Sequence, residues 1–155
     1  MSERWRVTGV LAVALFAVNV VARLVTRFGF DADETATTDR VSLGMFAVIG
    51  LVLAVVAFGW GRHRPLAAWG ADVAAAVGVA LALTVLVGPL LVGDNPVGGG
   101  AGTFFAQIWL YLAAAGIGVL LGYLLLTALG RDYRSVSLKR YAELQATKPR
   151  RVVRR

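Results

Sequence analysis

Cysteine is absent from the 155 residues, which excludes disulfides, thiolate metal sites, thioether haem attachment and cysteine nucleophiles. Histidine occurs once, at His63, so one chain cannot assemble a site that needs several imidazole ligands. Charge is scarce too: 16% of residues are charged, where a soluble domain carries about 25%. Hydrophobic residues reach 58% and mean hydropathy is +0.71. Too little polar surface remains to coat a water-exposed globule, so lipid must solvate part of the chain. No catalytic constellation is visible. A Ser–His–Asp triad would have to use His63, which sits in a short turn between arginines. The glycines from Gly98 to Gly102 are not followed by the Lys-Ser or Lys-Thr of a phosphate loop. The expectation is a non-enzymatic protein with no cofactor and no metal.

What the sequence does contain is long apolar runs. A helix needs about 20 mostly apolar residues to cross a bilayer, and four segments qualify, at 7–27, 41–60, 66–92 and 103–130. The fold class expected is an all-α integral membrane protein. Residues 1–130 form a bundle of four transmembrane helices, and 131–155 form a basic cytoplasmic tail. The first run follows Arg4 and Arg6, as a signal peptide would. Its core is long for that, and Val21, Ala22 and Arg23 stand where a small-residue cleavage site belongs, so an uncleaved signal anchor is expected. Pro89 is expected to kink or end the third helix. The turn Gly61-Arg62-His63-Arg64-Pro65 is short enough to make the second and third helices antiparallel neighbours.

The connections set the orientation. Arg4 and Arg6, the turn with Arg62 and Arg64, and the tail with Arg131, Arg134, Lys139 and Arg140 are basic. The loop with Asp31, Asp33, Glu34 and Asp39, and the loop with Asp94, are acidic. Arginine and lysine are retained on the cytoplasmic side, so both termini are expected in the cytoplasm; Arg23, Arg27 and Arg40 stand at the opposite end but are outnumbered. Trp5, Trp60 and Trp69 fall at inner ends, and Phe28, Phe30, Phe104, Phe105 and Trp109 near outer ends, as aromatic belts do. Arginine outnumbers lysine, with Ala, Val, Leu and Gly abundant. That codon-usage pattern fits a high-GC bacterium and hence a cytoplasmic (inner) membrane.

Polar residues inside apolar spans are expensive and therefore informative. Asp72 is the acid within a span, near the inner end of the third helix. It reads either as a proton or cation site with Tyr123 as partner, or as an interfacial acid near Arg62 or Arg64. Asn19 and Arg23 share a helix face at i, i+4. At matching depths the fourth helix offers Tyr111 opposite Asn19 and Gln107 opposite Arg23. They read as a polar cleft opening outward or as interhelical hydrogen bonding. Small residues recur at packing spacing: Gly50 and Ala54; Ala74, Gly78 and Ala82; Ala114, Gly118 and Gly122.

Net charge is +7 and the pI about 10.8. The cations cluster at span ends and in the tail, so anionic lipid is the partner expected, not nucleic acid. The tail reads as a continuation of the fourth helix, ended by Pro149. Lys148, Arg150, Arg151, Arg154 and Arg155 then form a candidate lipid-binding cluster. The expected function is a structural or accessory subunit of a membrane complex, touching lipid or a membrane-protein partner through this tail, or associating with itself. The alternative is a small oligomeric transporter or channel subunit that uses the intramembrane polar residues. Orientation is directly testable. In intact cells, Thr37→Cys and Gly99→Cys should react with a membrane-impermeant thiol reagent and Ala146→Cys should not; labelling at position 146 alone would invert the assignment.

Overall fold

The computed structural model describes residues 2–29, 35–91, 93, 95 and 98–147. Phe30, Asp31, Asp33, Glu34, Asp94, Lys148, Pro149, Arg150, Arg151, Arg154 and Arg155 lie outside the described residues. Those described are almost wholly helical: α1 (Ser2–Gly29), α2 (Thr35–Gly61), α3 (Leu66–Ala82), a π-helical turn (Leu83–Val87), α4 (Gly88–Leu91), α5 (Gly100–Ala128) and α6 (Tyr133–Thr147). Among them, four helices are long and apolar enough to cross a membrane: α1, α2, α3 continued through α4, and α5. α1, α2 and α5 begin before their apolar runs do, because polar residues such as Ser2 and Thr35 still supply helical backbone, while α3 begins at Leu66 as expected.

Each helix buries a narrow stripe and leaves the rest of its apolar surface exposed. Leu11, Leu15 and Asn19 are buried on α1; Met45, Ile49, Leu53 and Ala57 on α2; Val73, Ala76 and Ala80 on α3; Tyr111, Ala115 and Leu126 on α5. The steps of three or four residues follow the helical repeat. Outside the stripes, Val10, Val13, Leu51, Val55, Leu120, Leu121 and Leu124 are exposed. A water-soluble protein rarely exposes so much contiguous apolar surface, and lipid accepts it without cost.

The closest packing joins α2 to α5. A β-carbon at Gly118 would lie 2.7 Å from the α-carbon of Gly50, and one at Gly122 would lie 2.8 Å from that of Ala54. The two backbones therefore touch, and only glycine fits on the α5 side. The ascending order of both contacts makes α2 and α5 parallel. The α3 ridge behaves differently: Ala74, Gly78 and Ala82 face outward, with open space around Gly78. α3 packs on α1.

The α2–α3 turn is as tight as expected, with Trp60 O accepting from His63 N at 3.1 Å and Arg64 N at 3.0 Å. Yet α2 and α3 are poor neighbours beyond it, since α2 spends its packing face on α5 and α1. Trp69 is a correction to the aromatic-belt reading. It is 1% exposed, beside Gly61 and 6.1 Å from the Tyr123 ring. Trp5, Trp109, Phe28 and Phe105 do face outward.

The helix runs two residues past Pro89, to Leu91. Proline lacks an N–H and its ring crowds the carbonyl four residues earlier. The chain responds with the wide turn Leu83–Val87, in which Gly88 N–H reaches Leu83 O, five residues back. The tail is not a continuation of α5. Gly130, at φ +59°, lets its N–H reach Thr127 O and lets Arg131 N–H reach Leu126 O, closing α5 with a Schellman motif. Asp132 then caps α6, its Oδ2 accepting from Ser135 N at 3.2 Å. Hydrogen bonding from Ser135, opposed by desolvation, holds the Asp132 carboxyl below its usual range.

The α2–α5 contact predicts opposite outcomes for two neighbouring glycines. Gly118→Ala should destabilise the bundle by about 1–3 kcal/mol, because the backbones must separate. Gly116→Ala meets nothing within 4 Å and should be neutral or stabilising by up to about 1 kcal/mol, by helix propensity. Reversible unfolding in mixed micelles measures both, and equal effects would contradict the assigned interface.

Candidate functional site: two polar groups in an apolar bundle

The first group lies at the basic end, where α1 begins and α2 turns into α3. Asp72 is about two turns into α3 and 7% exposed. Such a carboxylate needs cations, and two reach it. Arg4 Nε donates to Oδ1 at 2.6 Å, and Arg64 Nη1 lies 3.6 Å from Oδ2. Arg4 also donates to Ala68 O at 3.4 Å, and Thr8 donates to Arg4 O at 3.0 Å. The Arg64 guanidinium lies 6.0 Å from the Trp60 ring centroid. Both arginine side chains remain about half exposed, at 55% and 49%. The group is thus an acid buried under two snorkelling cations, beside a cleft of about 290 Å³ lined by Arg4, Trp5, Thr8 and Asp72.

Arg64 is one of the partners the sequence offers. Arg62 turns away instead, 5.4 Å from the Phe58 ring. Arg4 is the partner that sequence reasoning misses. The signal was present: a lone acid in a span requires a cation at its depth, and Arg4 stands at the matching end of another span. Tyr123 is not the partner of Asp72; it packs on Trp69.

The second group lies at the opposite end. Asn19 is buried, its Oδ1 accepting from Arg23 Nε at 3.0 Å and its Nδ2 pointing at Met45 Sδ, 3.1 Å away. Gly88 makes room for them. A β-carbon there would lie 3.0 Å from both Arg23 Nε and Asn19 Oδ1. The ascending order of Arg4–Asp72 and Asn19–Gly88 makes α1 and α3 parallel. Arg23 and Gln107 both line a cleft of about 400 Å³, with Pro89, Asn95, Thr103 and Phe104. Tyr111 makes no hydrogen bond to Asn19. It is fully buried, and its hydroxyl, like Thr84 Oγ1 and Trp69 Nε1, has no hydrogen-bond partner among the described residues.

Comparison with protein-family models, curated proteins and solved structures finds no match. Function must therefore be argued from these two groups and from what lies between them. Neither has the form of a metal site, since no group of three or more His, Asp or Glu residues gathers among the described residues.

The first group makes a quantitative prediction. Asp72→Asn leaves Arg4 and Arg64 without their anion. Exposure of both cations keeps the loss to about 1–2 kcal/mol, below that of a fully buried pair. A double-mutant cycle with Arg4→Gln should return a favourable coupling of about 0.5–1 kcal/mol; zero coupling would mean that the pair does not hold α1 to α3.

Proposed function

We propose that the chain is a non-enzymatic multi-pass membrane protein, a structural or accessory subunit of a membrane complex. Its basic end faces the cytoplasm with both termini and engages anionic lipid or a membrane-protein partner. The observation that carries this reading is the packing between the polar groups. Along α1 and α3 they stand about four turns apart. The interval is filled by buried Leu11, Ala12, Leu15, Val73, Ala76, Val77 and Ala80. A transport path needs polar or hydrated continuity, and these side chains give neither. Asp72 is already neutralised by Arg4 and Arg64, which suits a fastener better than an exchanging site.

The surface supports the same reading. Most of the cations that are not bound into the bundle stand at one end, in the α2–α3 turn, after α5 and on α6, and outnumber the exposed Arg27 and Arg40 at the other. Each contributes on the order of 1 kcal/mol beside an anionic leaflet. Lys148, Arg150, Arg151, Arg154 and Arg155 add to that charge. One observation favours the alternative of a small oligomeric transporter or channel subunit: the cleft beside Arg23 and Gln107 opens at the other end.

A liposome assay separates the two. Reconstituted protein should pass protons and small cations no faster than protein-free liposomes, and Arg23→Gln or Asp72→Asn should change nothing. Flux above background that Arg23→Gln abolishes would establish the transporter. The same proteoliposomes should attach to anionic and not to neutral acceptor vesicles, with attachment falling steeply as salt rises.

A further inference from the structure

Arg62 is released from Asp72, and the place it turns toward is built. α6 and the α2–α3 turn enclose a niche of about 400 Å³, with Arg62 and His63 on one side and Tyr133, Ser137, Arg140 and Tyr141 on the other. The described lining contains no carboxylate. Arg64, two residues from Arg62, is held at Asp72, so Arg62 and Arg140 are the guanidinium groups of the niche. The Tyr141 phenol oxygen accepts from Gln145 Nε2 at 2.8 Å, which leaves its own O–H to donate outward. Val136 and Leu144 supply an apolar wall.

Position decides the class of ligand. α2 ends at Gly61, so the niche opens where an apolar span gives way to water, at the height of headgroups. Two guanidinium forks match the oxygens of a phosphodiester. An apolar wall beside them suits a glycerol backbone and the first methylenes of an acyl chain, which a free phosphate does not have. We propose that this niche binds the phosphate of one anionic glycerophospholipid from the leaflet at the basic end. Arg62 and Arg140 pair with the phosphate, Tyr141 donates to it, and Tyr133, Val136 and Leu144 cover the glycerol. The proposal rests on the lipid-binding reading above and adds a location and a stoichiometry to it.

Native mass spectrometry of the full-length protein, titrated with phosphatidylglycerol or phosphatidylcholine, tests it. One phosphatidylglycerol should be retained per chain. Arg62→Gln with Arg140→Gln should weaken retention roughly 25-fold, at about fivefold per cation. Arg131→Gln with Arg134→Gln removes the same charge outside the niche and should leave the bound lipid in place. So should removal of residues 148–155. If the Arg62/Arg140 variant fails to fold, Arg140→Gln alone, on a helix outside the bundle, should cost about fivefold. Retention by the niche variant, or equal loss in the Arg131/Arg134 variant, overturns the niche while leaving a general anionic preference standing. Equal retention of both lipids overturns the niche and the lipid reading together. Displacement of the lipid by millimolar inorganic phosphate would reassign the niche to a soluble ligand.

Discussion

In lipid, an apolar side chain gains little by leaving its solvent for another helix, so helices associate through close contact and through polar groups that lipid cannot satisfy. This chain uses the two means on different pairs. Between α2 and α5, Gly50, Ala54, Gly118 and Gly122 remove side chains from the interface, and the backbones meet directly. That contact is the spine of the fold. It joins segments far apart in sequence, and α1 packs against it through Met45.

α1 and α3 have no such ridge between them. Near one end they are held by the Arg4–Asp72 ion pair; near the other, Asn19 and Arg23, hydrogen-bonded to each other within α1, seat against the bare backbone of Gly88, with apolar side chains between. An interhelical polar contact is individually modest, about 0.6–2 kcal/mol, but the ion pair and the close seating at Gly88 sit far apart along the helices. Two separated fastenings fix the relative rotation and height of two rods as one cannot. The polar residues that look most like chemistry in the sequence are, in the fold, largely occupied with this alignment.

The four spans were legible because their signal is composition over about 20 residues, which tertiary contact hardly alters. Arg64 as a partner of Asp72, a cleft lined by both Arg23 and Gln107, and the α2–α5 ridges were legible too, since depth and helical spacing are one-dimensional quantities. What escaped depends on rotation about each helix axis. Trp69 has the right depth for a belt but points at Gly61 and Tyr123. Ala74, Gly78 and Ala82 have the right spacing for an interface within the bundle or between protomers, and spacing alone does not reveal that they face outward. Arg4 was overlooked for another reason: cations at span ends are read as topology signals, and this one also serves the interior. The break at Gly130 was visible in principle, since glycine after an apolar helix is a common stop.

The wide turn before Pro89 has a consequence for the phase of the third span. Ala76, Ala80, Thr84 and Gly88 are all buried, at steps of four residues. In an unbroken α-helix each such step over-rotates by about 40°, so the stripe would wind away toward the outside. The π turn has more residues per revolution and cancels much of that drift. It acts as a stutter, an extra residue taken up without loss of alignment, and it delivers Gly88 beneath Asn19 and Arg23. A proline usually regarded as a fault in a helix here stands beside the turn that brings Gly88, the residue before it, into register with Asn19 and Arg23.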